Sequence, residues 1–242
     1  MASIANSTIL VTGANRGIGR ALVEEALDRG AARVYAGTRR PTDFADARVV
    51  PVTLDVTDPT QIADVVEQVG ELDLLVNNAG IAIYDDLGDP AVIQQHLAVN
   101  LFGPYAVTMA FLPALVRSGG AVVTNLSVNA LAPLPIIPAY SISKAAAFSF
   151  TQSLRALTAG RGVTVHAVLT GPVDTDMTAG LDIPKASAAS VARAVLDGVD
   201  KGEEDIFPDP LSAAVGAGWH DGPVMTLQRR YAQLAPAQEA GR

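Results

Sequence analysis

Short runs of valine, isoleucine, leucine and threonine recur along the chain. They read STILVT from Ser7, ARVYAGT from Ala32, RVVPVTLD from Arg48, LDLLVN from Leu72, GAVVTNLS from Gly120 and VTVHAVLT from Val163. Each is too short for a helix, and most are apolar at successive positions, as expected of strands covered on both faces. Longer helical segments separate them, over Gly17–Arg29, Pro59–Val69, Ala91–Arg117 and Tyr140–Thr158. Strands alternating with helices imply right-handed crossovers and a parallel sheet. The pattern predicts an α/β chain: one Rossmann-like, doubly wound parallel sheet with helices on both faces, a single domain over residues 1–242. No linker, low-complexity segment or short-period repeat interrupts it.

Composition narrows the chemistry. The chain is 49% hydrophobic and only 17% charged, which is the balance of a packed globular protein. Its formal charge of -8 speaks against a nucleic-acid partner, because phosphate-backbone affinity rests on clustered Lys and Arg. Only the pairs Arg39-Arg40 and Arg229-Arg230 are dense in cations. With 0 cysteines there can be no disulfide or thiolate chemistry, and His96, His166 and His220 show no metal-ligand spacing, so no metal is expected. The N-terminal MASIANSTILVTGAN lacks a basic start and a long apolar run, and no stretch approaches the roughly 20 apolar residues of a membrane helix. A cytoplasmic protein without a membrane partner is the expectation.

Sheets of this kind bind ligands beyond the carboxyl ends of their strands. The first strand-to-helix junction reads VTGANRGIGR, with Gly13, Gly17 and Gly19 around a turn that enters an amphipathic helix. Glycines there let main-chain amides approach an anion at the positive end of a helix, although the same residues would also serve a plain tight turn. Further along, AYSISKAAAFSF places Tyr140 and Lys144 four residues apart, on one helix face. Alone, the pair fits an amphipathic core tyrosine and a lysine reaching for solvent. A phenol with a pKa near 10 exchanges protons reluctantly at neutral pH, and an adjacent ammonium favours the phenolate.

TGANRGIG, the NNAG of Asn77–Gly80, Ser127 thirteen positions before Tyr140, and Tyr140 with Lys144 stand in one order and context. Together they resemble the short-chain dehydrogenase/reductase family, over about residues 7 to 177, most like an NADPH-dependent carbonyl reductase. The resemblance implies hydride transfer between a nicotinamide and a carbonyl or alcohol carbon. It divides the domain into a cofactor half, about 1–125, and a catalytic and substrate half, about 126–242. Tyr140 would exchange a proton with the substrate oxygen, and Lys144 would tune it while holding the nicotinamide ribose. Ser127 would hydrogen-bond the same oxygen. Asn100, in HLAVNLFGP, would kink a long helix and hold a water that connects Lys144 to solvent.

The same resemblance marks a cofactor site. It comprises Gly13, Asn15, Arg16, Gly17, Ile18 and Gly19 of the turn; Thr38 and Arg39; Asp55 and Val56; Asn78, Ala79 and Gly80; Tyr140 and Lys144; and Gly171, Pro172, Val173 and Thr175. Asp58, before Pro59, instead reads as a helix cap. Thr38 stands where NAD enzymes carry an acidic residue, and Arg39 follows it. With Arg16, two guanidiniums could grip a 2′-phosphate, so the expected cofactor is NADP(H). Thr170 stands where many relatives have proline.

The resemblance fades over the last 65 residues or so. MTAGLDIPKASAAS reads as a short lid, and EEDIFPDPLSAAVGAGWHDGP replaces the glycine-ended final strand of relatives. Ile83, Val128, Asn129, Leu131, Leu134 and Met177 are candidates for the substrate wall, with Trp219 as a cap or as plain packing. Their apolar character points to a hydrophobic ketone or aldehyde, or its alcohol. Two alternatives stand beside this: a non-catalytic NADP-sensing regulator, and an epimerase or dehydratase on the same fold. The helices carrying Asn100 and Tyr140 hold more apolar surface than one sheet face covers. A homodimer or homotetramer is expected through them, with Phe111 and Phe150 at the interface.

Overall fold

In the computed structural model, which describes residues 3–40 and 42–232, the six apolar runs are strands of one parallel sheet. They are β1 (Thr8–Thr12), β2 (Arg33–Thr38), β3 (Val49–Thr53), β4 (Leu74–Asn77), β5 (Ala121–Asn125) and β6 (Thr164–Val168). Three two-residue strands follow: β7 (Val173–Asp174), β8 (Ala186–Ser187) and β9 (Asp205–Ile206). β9 joins the sheet, whose order is β3-β2-β1-β4-β5-β6-β9, while β7 and β8 pair with each other. The segment expected to replace the final strand therefore still supplies a short one, in parallel register with Ala167 and Val168.

Strand periodicity sorts the core into two layers. Ile9, Val11, Val34, Ala36, Leu74, Val76, Ala121 and Val123 face one side, against Leu22, Val23 and Ala26 of α1 (Gly17–Asp28) and Val191, Val195 and Val199 of α6 (Ala188–Lys201). Leu10, Tyr35, Leu75, Val122 and Val165 face the other. There they meet Ile62 and Val65 of α2 (Pro59–Val69), Val107, Phe111 and Leu115 of α4 (Gly103–Ser118), and Leu154 of α5 (Pro138–Thr158). Two covered faces explain why the strands are apolar at successive positions. Asp58 caps α2 as its sequence predicts, accepting the Thr60 and Gln61 N–H groups ahead of Pro59.

The expected helix 91–117 is longer and interrupted. α3 (Pro90–Leu97) runs through a π-helical turn, Ala98–Phe102, into α4, and the turn carries Asn100. The continuous helix Pro90–Ser118 is long and apolar enough by length and composition to cross a membrane, and half of its most apolar stretch is buried in the fold. This corrects the expectation that no stretch approaches a membrane helix in length and apolarity. Packing against the sheet accounts for its apolar character.

Packing corrects the expectation that Phe111 and Phe150 lie at an interface. Phe111 is 1% exposed inside the core, and Phe150 is partly buried with its ring against Tyr105 at 5.6 Å, so neither heads an outer stripe. The exposed large apolar residues of these helices are Phe102, Tyr105, Met109, Ile142 and Leu157. Of the two readings of Trp219, packing matches its contacts: it lies on Phe148 and Phe207 and donates its indole N–H to the buried carboxylate of Asp205 at 2.8 Å. α7 (Pro210–Gly216) and α8 (Pro223–Ala232) complete the described chain.

Candidate active site

The chain changes winding direction between β1 and β4, and the carboxyl ends of the strands beside that switch point form a cleft. On its floor lies the glycine turn. Gly13 has φ +67°, and a Cβ there would come 2.9 Å from the Ala79 Cα. A Cβ on Gly19 would fall 2.2 Å from the Gly13 carbonyl oxygen and 2.5 Å from the Asn78 Nδ2. The Ala79 Cα and the Gly13 oxygen are backbone atoms that cannot give way, so neither glycine can carry a side chain. These contacts seat the N-terminus of α1 against the Asn77–Gly80 segment, leaving its first amides to an anion. Such a cradle fits the pyrophosphate of a dinucleotide.

Asn78 is part of the cradle's frame. Its backbone N–H donates to the Thr12 hydroxyl, and its side chain donates to the carbonyls of Thr12 and Gly13. Ile18 packs at the edge of the core under the turn, and Asn15 is exposed beside it. At the far end Thr38 is buried with its hydroxyl on the Arg40 carbonyl at 2.6 Å, while Arg39 is exposed and forms no ion pair among the described residues. Asp55 holds the Thr57 N–H and hydroxyl, and these bonds, ahead of the Arg39 charge, keep its carboxyl below the usual range. The Val56 side chain packs against Gly103 of α4 and is buried, which leaves only its backbone for a ligand. Arg16 is not free: its guanidinium pairs with Asp176, across the cleft.

Facing the turn are the four candidate catalytic residues, and the fold brings them together. Ser127 follows β5, where its Oγ accepts the Asn129 N–H at 3.1 Å and hydrogen-bonds the Tyr140 phenol. The Lys144 Nζ lies 5.6 Å from the centre of the Tyr140 ring and donates to the Asn125 carbonyl at 2.8 Å. Asn100 brackets Ile81, its Oδ1 accepting the Ile81 N–H and its Nδ2 donating to the Ile81 carbonyl and to the Ser143 hydroxyl. A Cβ on Gly80 would approach the Asn100 Oδ1 to 3.2 Å and the Lys144 Nζ to 3.7 Å, so Gly80 lets these groups converge.

Electrostatics departs from the expectation that Lys144 lowers the phenol's pKa. Burial pushes Tyr140 up to about 12, with the Ser127 hydrogen bond pulling the other way, and pushes Lys144 down to about 8. Desolvation outweighs the pairing, because both groups lose water while their charged forms are not in direct contact. The phenol is therefore a stored proton at neutral pH.

The substrate candidates divide. Ile83, Val128, Asn129 and Leu131 are half-buried beside the Ser127 and Tyr140 segments, whereas Leu134 and Met177 stand exposed at the rim. Gly171 donates its N–H to Asp209 at 2.7 Å, Pro172 and Val173 lead into β7, and Thr175 packs on Gly17. Two supporting residues escaped the sequence. His96 is buried, its Nε2 accepting the Ile83 N–H and its ring edge-on to Tyr140 at 6.2 Å. Asp85 binds the Leu87 N–H with one oxygen and caps α5 with the other, through the Ala139 N–H. One histidine among three and a loop acid carry no spacing signal; only the fold sets them against the helix of Tyr140 and Lys144.

Comparison with known proteins agrees with this geometry. A family model for short chain dehydrogenase matches residues 7–185. A short chain dehydrogenase (pigC) of Monascus ruber is 35% identical over 208 residues, 75% of this chain and 67% of its own length. The 3-oxoacyl-[acyl-carrier-protein] reductase FabG of Salmonella typhimurium is 34% identical over 189 residues, 71% of this chain and 75% of its own. Among solved structures, a short chain dehydrogenase of Burkholderia cenocepacia in complex with NADP superposes with a TM-score of 0.86 at 35% identity, over 94% of this chain and 98% of that one.

Proposed function

Because the chain belongs to the short-chain dehydrogenase/reductase family, we propose that this oxidoreductase uses NADP(H) to reduce a hydrophobic ketone or aldehyde, or to oxidise the matching alcohol. One observation carries the reading: a buried phenol bonded to Ser127, with Lys144 beside it, faces a glycine cradle that no side chain could enter. The turn from Gly13 to Gly19 would hold the pyrophosphate, and Arg39 with Arg16 the 2′-phosphate. Thr175 and Gly171 would flank the nicotinamide. That Arg39 is exposed without an ion pair among the described residues supports NADP(H), as does the NADP bound to the Burkholderia cenocepacia relative.

A bound nicotinamide supplies the hydride. As the carbonyl carbon accepts it, the carbonyl oxygen gains charge, and Tyr140 gives up its proton to that oxygen. Ser127, its Oγ steadied by the Asn129 N–H, donates a hydrogen bond to the same oxygen. Lys144 offsets the phenolate left behind. Ile83, Val128, Asn129 and Leu131 wall the substrate side, with Leu134 and Met177 at the rim; apolar surface there favours an uncharged substrate. We place the enzyme in the cytoplasm as a homo-oligomer that covers Phe102, Tyr105, Met109 and Ile142.

The test is direct. Purified protein should oxidise NADPH in the presence of aryl or long-chain alkyl ketones, and Tyr140→Phe should abolish turnover by several orders of magnitude while binding NADPH as tightly. No turnover across ketones, aldehydes and alcohols, or more than about a tenth of the rate in the Phe variant, would refute it.

A further inference from the structure

A row of side-chain hydrogen bonds crosses the carboxyl ends of four adjacent strands beneath the proposed site. It starts at Thr170, just past β6, whose hydroxyl donates to the Asn125 Oδ1 at 2.9 Å. Asn125, at the end of β5, donates from Nδ2 to the Asn78 Oδ1 at 3.0 Å. Asn78, just past β4, donates from Nδ2 to the carbonyl of Thr12, the last residue of β1, at 3.0 Å and to that of Gly13 at 3.3 Å.

The row has a direction. Its far end meets two backbone carbonyls, which can only accept, so the Asn78 NH2 group must face them and its Oδ1 must face Asn125. Asn125 must then present its own NH2 group to Asn78 and its Oδ1 to Thr170. The row closes only if position 170 provides a donor. A threonine hydroxyl does; a proline, which the resemblance places here in many relatives, cannot. Thr170 is 4% exposed, so solvent has little access to replace it.

Asn125 is also the residue whose carbonyl receives the Lys144 ammonium, and the Thr170 carbonyl accepts the N–H of Val128, next to Ser127. We infer that Thr170 is a positioning residue: by terminating this row it fixes Asn125, and through Asn125 it seats both the Lys144 ammonium and the glycine turn. The inference rests on the reaction proposed above for its kinetic consequence, but not for the cofactor site itself. Loss of the donor leaves the Asn125 Oδ1 without a partner, and the cheapest relief is a rotated amide that breaks the bond to Asn78.

Thr170→Val removes the hydroxyl at constant shape, and Thr170→Ser keeps it. The Val variant should fold with unchanged circular dichroism and bind NADPH several-fold more weakly by nicotinamide fluorescence. Its kcat should fall about tenfold with a ketone KM within threefold of wild type, and the alkaline limb of its pH–rate profile should move to lower pH as Lys144 loses its seat. Thr170→Ser should restore all of these. A Val variant within twofold of wild type in kcat and NADPH affinity, with an unmoved limb, overturns the inference. So does an equal defect in the Ser variant, or a defect that tracks a loss of folded protein. Should the wild type turn over no carbonyl compound, the reaction assignment fails, and NADPH affinity of the Val and Ser variants still decides the role of Thr170.

Discussion

Replacing Lys144 by methionine should make the cofactor-free protein's stability insensitive to a stretch of pH over which the wild type gains. Lys144 is 6% exposed, and burial lowers its pKa from the ordinary 10.5 to about 8. An unfolded chain keeps the proton until pH 10.5, whereas the folded one releases it near 8. Between those values the unfolded state binds more protons, so unfolding free energy rises with pH. Below about pH 8 the native protein carries the full desolvation penalty, about 3 kcal/mol at ~1.4 kcal/mol per pH unit. Methionine keeps most of the stem and removes that penalty, but it also removes the 2.8 Å bond from Nζ to the Asn125 carbonyl, worth about 1.5–3 kcal/mol for a charged donor. At pH 7 the two effects nearly cancel, and the pH dependence carries the information. From pH 8 to 10 the wild type should gain about 2 kcal/mol relative to Lys144→Met. Tyr140 acts in the opposite sense only between its ordinary 10.0 and about 12, and it is present in both proteins. Urea unfolding without cofactor, at steps from pH 7 to 10, measures the difference. Curves that stay parallel within about 0.5 kcal/mol would show that Lys144 is not desolvated, and would refute the lowered pKa of its ammonium.

Arg39→Leu and Arg16→Leu should each weaken NADPH binding about 10- to 100-fold, the loss of one charge-assisted contact, while leaving NADH within twofold; equal losses for both cofactors would refute the 2′-phosphate assignment. Thr38 is the poorer target for such a swap, since a carboxylate there would replace a buried hydroxyl bonded to the Arg40 carbonyl. Asp205→Ala should cost about 3–5 kcal/mol in urea unfolding, because it strands the Arg155 guanidinium and the Trp219 N–H around a carboxylate whose side chain is 0% exposed. A cost under about 1 kcal/mol would contradict that. Tyr105→Glu with Met109→Glu should dissociate the oligomer without unfolding it, whereas Phe111→Glu should unfold the chain by placing a charge in the core. A wild-type mass of 25.0 kDa by light scattering at micromolar concentration would refute the oligomer.

Local signals proved reliable where the physics is local. The strand runs, the Asp58-Pro59 helix start and the glycine turn were legible because each depends on residues within one element or one junction. Tyr140 and Lys144 were legible because a helix fixes the distance between positions four apart. Phe111 was misjudged for a complementary reason. In a helix as apolar as α4, sequence cannot tell the face that meets the sheet from the one that meets solvent, since both carry large hydrophobic side chains.

Alternation, helical spacing and glycine sterics act within a few residues, so the sheet, the cradle and the candidate catalytic set were legible in the chain itself. The tertiary structure alone decided how those parts are held. His96, on α3, and Asp85, in the loop after β4, reach the helix that carries Tyr140 and Lys144. Arg16 finds Asp176, 160 residues away, and Thr170 finds Asn125 and through it Asn78. The pKa values of Tyr140 and Lys144 follow from burial, a property of the packed whole that reverses what their spacing alone suggests. Hydrogen bonds between residues far apart in sequence, and the loss of water around a charge, exist only once the strands have been brought side by side.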